Sequence, residues 1–354
     1  MSGLIERVQA CVDAELDRQR VVLAELGPDV EDLLDVTAAL VRGGKRLRAS
    51  FLTWGYCAVA DIPAEQAPAD IISMATAMEF FQAAALLHDD VMDGSDTRRG
   101  APSAHVALAA RHAVRDWDGP SDQFGVAGAI LAGNLCLTAS DELVARAELP
   151  DLGPAREMFA VMRTQLMAGQ FLDVVESVRP WADLPSQERL TRADRVIRYK
   201  SAKYSVEHPL LIGALAAGAD DAQVGALSRY GLDVGRAFQL RDDLLGVFGD
   251  PAVTGKPAGD DLREGKRTVL VAAALERLDP AGRAELIQGL GQDDAAVIAR
   301  LQELIFGSGA VEFVEERISG LTDDALAALA QAGLGERGYA ALTDLAEQAT
   351  QRTA

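Results

Sequence analysis

The sequence predicts an all-α protein in which residues 1–354 form one large helical bundle around a central cavity. Apolar residues recur at three- and four-residue spacing along most of the chain, a pattern that indicates helices. Alternating strand patterns are nearly absent. Several predicted helices, such as 68–88, are apolar on most faces and must be buried among others, which favours one bundle over separate small domains.

Each predicted helix is a periodic segment that ends at Gly, Pro or polar residues. Gly27-Pro28 follows the first helix, Gly43-Gly44 follows the second, and Gly100–Pro102 lies beyond the acidic end of the fourth. Gly119-Pro120 precedes the next periodic segment, and Gly249–Gly259 marks a loop. The predicted helices are 3–26, 30–41, 44–60, 68–93, 125–147, 155–176, 187–217, 221–248, 266–277, 281–290, 293–305, 309–320 and 339–350.

The net charge excludes one class of partner. The chain has 34 Lys and Arg against 54 Asp and Glu, a formal charge of −20. This charge argues against nucleic-acid binding, which needs clustered positive charge. Small phosphorylated ligands stay possible, because bound metal ions reverse the sign locally.

The sequence also predicts a cytoplasmic protein without a membrane span. Cys11, Cys57 and Cys136 share no metal-ligand spacing, which is typical of reduced thiols in the cytoplasm. The N-terminus has early acidic residues and no apolar core of a signal peptide. The apolar stretches Gly125–Ser140 and Pro209–Ala219 are interrupted, and both are shorter than the roughly 20 residues of a membrane span.

A first acidic cluster ends a predicted helix in the segment LLHDDVMDGSDTRRG. Asp89 and Asp93 are four residues apart and share a helix face, with Asp90 beside them. Mg²⁺ prefers a few carboxylate oxygens together with phosphate oxygens of a substrate. A solvated acidic helix end is the plain alternative. The apolar stretch Phe80–Leu87 before it favours a ligand cavity instead.

A second acidic cluster has the same construction. Asp242 and Asp243 end another apolar helix, and the Gly-rich loop that follows carries Lys256 and Lys266 with further acidic residues. Two acidic helix ends that face one cavity are suited to holding metal ions together. The alternative is an acidic surface loop.

A basic segment, RGGKRLRAS, provides charge of the opposite sign. Lys45, Arg46 and Arg48 follow two glycines at a predicted helix start, where backbone N–H groups and cations suit a diphosphate. Arg98-Arg99 and Lys200-Ser201 add cations. The three segments together predict one diphosphate held through metal ions and a second held by cations alone.

On these motifs the chain resembles the trans-isoprenyl (polyprenyl) diphosphate synthases over nearly its full length. DDVMD resembles the first aspartate-rich motif of that family and DDLLG the second. The resemblance implies an all-helical isoprenoid synthase fold, a homodimer, and about three Mg²⁺ ions per active site. It also implies head-to-tail condensation of isopentenyl diphosphate with dimethylallyl, geranyl or farnesyl diphosphate.

The resemblance assigns roles to individual residues. Asp89, Asp90, Asp93, Asp242 and Asp243 form the metal-binding set. Lys200, Ser201 and Gln239 steady the allylic cation, and the released diphosphate removes the final proton. The residues expected to contact diphosphate groups are Lys45, Arg48, Gln82, Arg98, Arg99, Lys200, Gln239, Lys256 and Lys266, with Gln170 and Asp173 on a facing helix.

Three features depart from the family pattern. Gly246 replaces the usual third Asp of the second motif, and Asn134 stands where relatives often have Asp. The stretch Ala109–Phe124 resembles an insertion. His88 beside the first motif is expected to be structural.

The product length is predicted from the helix that leads to Asp89. Ala84 and Ala85 are small at a level where C15-forming relatives carry aromatics, and Phe81 or Met78 is expected to form the floor. One helical turn is roughly 5 Å, about one isoprene unit. The prediction is geranylgeranyl diphosphate (C20), with farnesyl (C15) and C25–C30 products as alternatives.

Two rival functions use the same residues differently. A terpene cyclase also ionises allylic diphosphates but needs no isopentenyl site, so the basic segment argues against it. A non-catalytic subunit of a heteromeric synthase has Gly246 as its only support.

Overall fold

The computed structural model describes residues 2–250 and 258–351, and it confirms the all-α prediction. The helices of the first half surround one long buried helix, α4. They are α1 (Ser2–Leu23), α2 (Glu31–Val41), α3 (Leu47–Ala60), α4 (Ala69–Asp93), α5 (Ala104–Val114), α6 (Ser121–Ala145) and α7 (Gly153–Val178).

The second half continues as helices, which begin with α8 (Ser186–Val196), a π-helical segment (Ile197–Glu207), α9 (His208–Ala216) and α10 (Asp221–Phe248). The remaining helices are Asp260–Arg263, Val269–Arg277, Pro280–Gly289, Ala295–Gly307, Ala310–Leu329 and Glu336–Thr350. Short 3₁₀ turns lie at Ala24–Leu26, Pro28–Val30 and Ala64–Gln66. A small antiparallel hairpin pairs β1 (Thr97–Arg98) with β2 (Ala101–Pro102).

Most predicted helices are confirmed to within a few residues, and the differences have local causes. The predicted helix 44–60 begins only at Leu47, because Arg46 has a left-handed backbone with φ 55°. The predicted helix 309–320 continues to Leu329, so Gly320 lies inside the helix and does not end it. The predicted helix 187–217 divides into α8, the π-helical segment and α9.

Helix α5 and the hairpin were not predicted, and they change the interpretation of the stretch 109–124. Its first residues complete α5 and its last begin α6, so only a short loop is irregular. Trp117 and Phe124 pack their rings around the buried His112, at centroid distances of 5.2 to 5.9 Å. The stretch is therefore a helix-to-helix turn with its own small aromatic core.

Two helices are longer than the interrupted apolar stretches on which the predicted absence of a membrane span rests. Among the described residues, α4 and α6 are long and apolar enough to cross a membrane by length and composition alone. The apolar window of α4 is 72% buried, as in the core helix of a bundle, whereas that of α6 is 39% buried. The interrupted run predicted at Gly125–Ser140 belongs to a 25-residue helix, so its length does not exclude a span.

Candidate functional site

A cavity of about 610 Å³ opens between α4, α7, the π-helical segment and α10. It brings together most of the residues that the sequence singles out. The predicted residues that line it are Lys45, Arg48, Gln82, Ala85, Asp89, Arg98, Arg99, Gln170, Asp173, Lys200, Ser201, Gln239, Asp242, Asp243 and Lys266. Lys256 lies outside the described residues. Asp90, Asp93, Ala84, Phe81 and Met78 do not line the cavity.

Asp89 links the first acidic cluster to α7 and to the π-helical segment. Its Oδ1 accepts hydrogen bonds from Gln170 Nε2 at 2.7 Å and from Lys200 Nζ at 3.1 Å. Burial acts to raise the pKa of Asp89, but the charges of Lys200, Lys266 and Arg98 outweigh it and hold that pKa below its usual value. Asp89 is therefore ionised and faces the cavity as a carboxylate.

Asp90 and Asp93 occupy different surroundings from Asp89. Asp90 is buried and accepts from Arg98 Nε at 2.9 Å, which turns it toward the hairpin. Burial and the charge of Asp89 raise the pKa of Asp93 to about 6. The Oδ2 atom of Asp93 is buried and accepts no hydrogen bond from the described residues, although Lys266 Nζ lies 3.5 Å away.

The π-helical segment presents Lys200 and Ser201 to the cavity. Its wide turns fit between two close neighbours that lack side chains: a Cβ on Gly169 would lie 2.4 Å from the Tyr199 backbone, and one on Gly235 would lie 2.5 Å from Ala202 O. Single π turns are often found at functional sites. The packing of two glycine-bearing helices thus sets where Lys200 lies.

Lys200 links two acidic side chains across the cavity. Its Nζ lies 3.1 Å from Asp89 Oδ1 and 2.5 Å from Asp173 Oδ2. Burial acts to lower the pKa of Lys200, but Asp89 and Asp173 outweigh it and raise that pKa. Lys200 is therefore a fixed positive charge beside the first acidic cluster.

The second acidic cluster lies at the end of α10. Asp243 is 4% exposed, and its Oδ1 accepts from Gln239 Nε2 at 2.8 Å. Its Oδ2 is buried without a hydrogen bond from the described residues. Burial, followed by the charge of Asp261, raises the pKa of Asp243 well above its ordinary value.

The structure explains why residue 246 is a glycine, which the sequence did not reveal. A Cβ at this position would lie 2.1 Å from Asp261 Oδ2 and 2.5 Å from its Cγ. The carboxylate of Asp261, from the short helix Asp260–Arg263, therefore fills the space where a side chain of residue 246 would stand. An acidic group is retained at this point although the motif lacks its third Asp.

The basic segment divides into a structural and a cavity-facing part. Arg46 is 3% exposed and donates from Nη1 to Glu79 Oε2 at 2.9 Å, so it anchors the segment to α4. Arg48 faces the cavity, donates to Tyr204 Oη at 2.8 Å and lies over the Tyr204 ring at 4.4 Å. Lys45 is exposed at the rim.

The two glycines of the basic segment accommodate Arg99. A Cβ on Gly43 would lie 2.4 Å from Arg99 Nη1, and one on Gly44 would lie 2.9 Å from Arg99 Nη2. Arg99 Nη1 also donates to Leu40 O at 2.9 Å. The glycines therefore hold a cation from the hairpin against the segment that carries Lys45, which concentrates positive charge on this side.

Several residues that line the cavity were not predicted from the sequence. Tyr204 donates to Gln82 Oε1 at 2.6 Å, which joins the basic side to α4. Its spacing of four from Lys200 was the available signal. Arg267 follows Lys266 directly, lines the cavity, and makes no ion pair with any part of the chain that the structure describes.

The residues predicted to set product length lie behind the cavity wall. Ala85 lines the cavity, whereas Phe81 and Met78 are each 1% exposed and Ala84 is fully buried. The Phe81 ring lies edge-on to the rings of Phe159 and Tyr204, each at 6.4 Å. Phe81 therefore forms a second layer behind Tyr204.

His88 and Asn134 lie at the contact between α4 and α6 or on its surface. His88 Nε2 is 3.2 Å from Ile130 O, and a Cβ on Gly133 would collide with its ring. Both contacts are consistent with a packing role for His88. Asn134 is exposed on α6, and nothing in the structure gives it a role.

The carboxylates suit a hard divalent cation that also binds a substrate. Within residues 2–250 and 258–351, no three His, Cys, Asp or Glu side chains converge as in a closed metal site. Mg²⁺ typically takes one or two carboxylates and completes its shell with water and phosphate oxygens. Asp93 and Asp243 each have a buried carboxylate oxygen that accepts no hydrogen bond from the described residues, which is the type of donor that such an ion prefers.

Comparisons with known proteins agree with this geometry. A family model for polyprenyl synthetases matches residues 30–305. A geranylfarnesyl diphosphate synthase of Aeropyrum pernix is 34% identical over 286 residues, 78% of this chain and 79% of that protein. A geranylgeranyl diphosphate synthase of Mycobacterium tuberculosis is 33% identical over 302 residues, 84% of this chain and 78% of that protein.

Solved structures agree as well. The geranylgeranyl pyrophosphate synthase of Corynebacterium glutamicum, complexed with isoprenyl diphosphate and magnesium, superposes with a TM-score of 0.93. Its identity is 40%, and the match covers 99% of both chains.

Proposed function

The chain belongs to the polyprenyl synthetase family and is a prenyltransferase, and we propose that it makes geranylgeranyl diphosphate (C20). Its substrates are isopentenyl diphosphate and an allylic diphosphate, namely dimethylallyl, geranyl or farnesyl diphosphate. Family membership confirms the resemblance drawn from the two aspartate-rich motifs.

The observation that carries the proposal is the division of charge within one cavity. Asp89, Asp242 and Asp243 line one side, and Lys45, Arg48 and Arg99 line another. A cavity with both sides suits two diphosphates, one bound through metal ions and one bound by cations. A terpene cyclase has no use for the second side.

Divalent metal ions belong to the proposed chemistry, with about three Mg²⁺ ions as the expected number. Asp89 and Asp93 would hold ions from the first cluster, and Asp242 would hold one from the second, with Asp243 and Asp261 beside it. When bound, these ions neutralise the allylic diphosphate and favour its departure.

The side chains of the chain perform the other steps. Arg98, Lys200 and Lys266 offset the charge of the departing diphosphate, which leaves with the electron pair of the carbon–oxygen bond. Lys200, Ser201 and Gln239 face the resulting allylic cation. Lys45, Arg48 and Arg99 hold the diphosphate of the isopentenyl substrate, so that its double bond is positioned to attack that cation, and the released diphosphate takes the proton that the condensed product loses.

The product length follows from the wall formed by α4. Ala85 is the small residue that lines the cavity one turn before Asp89, and it leaves room for a chain longer than C15. Phe81 stands behind the wall with its ring fixed between two others. Relatives include both geranylgeranyl and geranylfarnesyl diphosphate synthases, so a C25 product is the competing outcome.

The test is product analysis. Purified protein is incubated with Mg²⁺, isopentenyl diphosphate and each allylic primer, and the dephosphorylated alcohols are separated by length. A dominant C20 alcohol is the expected result. A dominant C15 or C25 alcohol would refute geranylgeranyl diphosphate as the product. If no primer is elongated, the chain is not a synthase by itself, and a non-catalytic subunit of a heteromeric synthase is favoured.

We also propose a cytoplasmic homodimer. Met167, Phe171, Val174 and Val178 form an exposed apolar stripe along α7, with Phe171 67% exposed. Such a stripe suits a second copy of this chain. Light scattering should give twice the mass of 37.5 kDa, and Phe171→Glu should give the monomer mass; a monomeric wild-type protein would contradict the proposal.

A further inference from the structure

The two acidic clusters are joined by one lysine and a glutamate that does not line the cavity. Lys266 Nζ lies 3.5 Å from Asp93 Oδ2 and 3.5 Å from Asp261 Oδ1. It also forms an ion pair with Glu264 Oε2. Asp93 ends α4 and Asp261 lies against Gly246 of α10, so a single ammonium group lies between the first acidic cluster and the carboxylate beside the second.

Glu264 is itself held in place by the turn that follows α4. Its Oε1 accepts a hydrogen bond from Ser95 Oγ at 2.7 Å, which leaves Oε2 for Lys266. The Glu264 side chain is 8% exposed, and Glu264 is not among the residues that line the cavity. Its contacts therefore act on the position of Lys266 and not on a substrate.

The three carboxylates keep Lys266 charged. Its ammonium group lies within ion-pair distance of Asp93, Asp261 and Glu264, and three neighbouring negative charges favour the protonated form of a lysine. An ammonium group beside Asp93 and Asp261 places a charge of the same sign as a metal ion next to these carboxylates. Lys266 and Mg²⁺ thus require the same oxygen atoms.

We propose that Lys266 competes with divalent metal ions for Asp93 and Asp261, and that Glu264 is a positioning residue that holds the ammonium group back from these two carboxylates and so limits the competition. Binding of the metal displaces the ammonium group toward the diphosphate side of the cavity, and Glu264 limits how far it moves. This inference rests on the proposed function, because it takes these carboxylates to be metal ligands.

The experiment measures metal binding without substrate. Mn²⁺, which is visible by electron paramagnetic resonance, is titrated into chelator-treated protein in the absence of any diphosphate. Lys266→Met should bind Mn²⁺ about tenfold more tightly than the wild type, because the competing charge is gone. If Lys266 serves only to contact substrate, its removal leaves this affinity unchanged, and that result would overturn the proposal.

The neighbouring cation provides the matched control. Arg267→Met removes the same charge from the next residue, which lines the cavity and has no acidic partner among the described residues. We expect it to change Mn²⁺ affinity much less than Lys266→Met. Equal effects would mean that only the net charge of the cavity matters, and the competition would be refuted.

A double-mutant cycle tests Glu264 itself. Glu264→Gln keeps an oxygen for Ser95 but releases Lys266 onto Asp93 and Asp261, so it should weaken Mn²⁺ binding. In the Lys266→Met background the same change should have little effect. An equal loss in both backgrounds would mean that Glu264 acts without Lys266, which would refute its positioning role.

Two further measurements distinguish an effect on Mn²⁺ binding from a loss of folding or of enzymatic activity. Thermal unfolding of each variant identifies one that fails to fold, and Lys266→Gln then replaces Lys266→Met. Elongation by the wild type is assayed in parallel. If the wild type elongates its substrates but Lys266→Met binds Mn²⁺ no more tightly than the wild type, only the competition by Lys266 is refuted. If Lys266→Met binds Mn²⁺ more tightly but the wild type does not elongate any substrate, only the proposed function is refuted.

Discussion

Phe81→Ala is the variant that tests how the fold limits product length. Phe81 lies eight residues before Asp89 on α4, about 12 Å along the helix axis. Its ring contacts those of Phe159 and Tyr204, and Tyr204 lines the cavity. Truncation of Phe81 removes the support behind Tyr204, so the cavity should deepen toward the N-terminal end of α4.

Two magnitudes follow from this position. A fully buried Phe replaced by Ala costs about 3–5 kcal/mol of unfolding free energy. The added depth is one helical turn, about 5.4 Å, which is close to the length of one isoprene unit. The main product should therefore shift from C20 to C25, while the protein remains folded at moderate temperature.

The assay compares product lengths and stability for Phe81→Ala and a matched control, Phe80→Ala. Phe80 is also fully buried on α4 but points about 100° away from Phe81. Both variants should lose similar stability in urea, and only Phe81→Ala should lengthen the product. Unchanged products in Phe81→Ala, or equal lengthening in both variants, would refute the idea that this side chain limits length.

Three further variants test other parts of the structure. Gly246→Ala forces Asp261 to move, since the new Cβ would lie 2.1 Å from its carboxylate; the variant should lose about 1–3 kcal/mol of unfolding free energy and bind Mn²⁺ more weakly. The control Gly225→Ala on the same helix should be neutral or stabilising, and equal effects of the two substitutions would contradict the contact with Asp261. Arg46→Met leaves a buried carboxylate unpaired and should cost about 3–5 kcal/mol in urea unfolding; a loss below about 1 kcal/mol would mean that the pair is not buried. Burial lowers the pKa of His208 to about 3, so below its ordinary pKa of about 6.5 the unfolded chain takes up a proton that the folded chain does not, and the unfolding free energy should fall by about 1.4 kcal/mol from pH 7.5 to 5.5. His208→Gln should lack this part of the fall, and identical pH profiles would exclude it.

Local pattern was sufficient for the long helices but not for the features that depend on neighbours. Apolar spacing predicts α4 and α10 well, because both bury most of their surface. The hairpin was missed because its strands have two residues each, too few for alternation, and its turn relies on left-handed Arg99 and Gly100. The π-helical segment depends on glycines of two other helices, which periodicity along its own sequence does not reveal.

The sequence predicted which charged residues form the candidate site, but not how the residues behind them are layered. The charged residues could be found because acidic and basic clusters are conspicuous at helix ends. Asp261 could not be assigned to the space beside Gly246, since the path of a loop is set by tertiary packing. For the same reason, the sequence did not reveal that Tyr204 stands between Phe81 and the cavity.

Helix α4 contributes residues to the anchor of the basic segment, to the cavity wall and to the first acidic cluster. This restricts how the protein can evolve. Glu79 holds the buried Arg46, Gln82 and Ala85 form the wall, and Asp89 reaches Lys200. Insertion or deletion of a single residue between Glu79 and Asp89 would rotate the two ends by about 100° relative to each other. New product lengths in this lineage must therefore arise by exchange of side chains, because a change in helix length would separate the anchor from the acidic end.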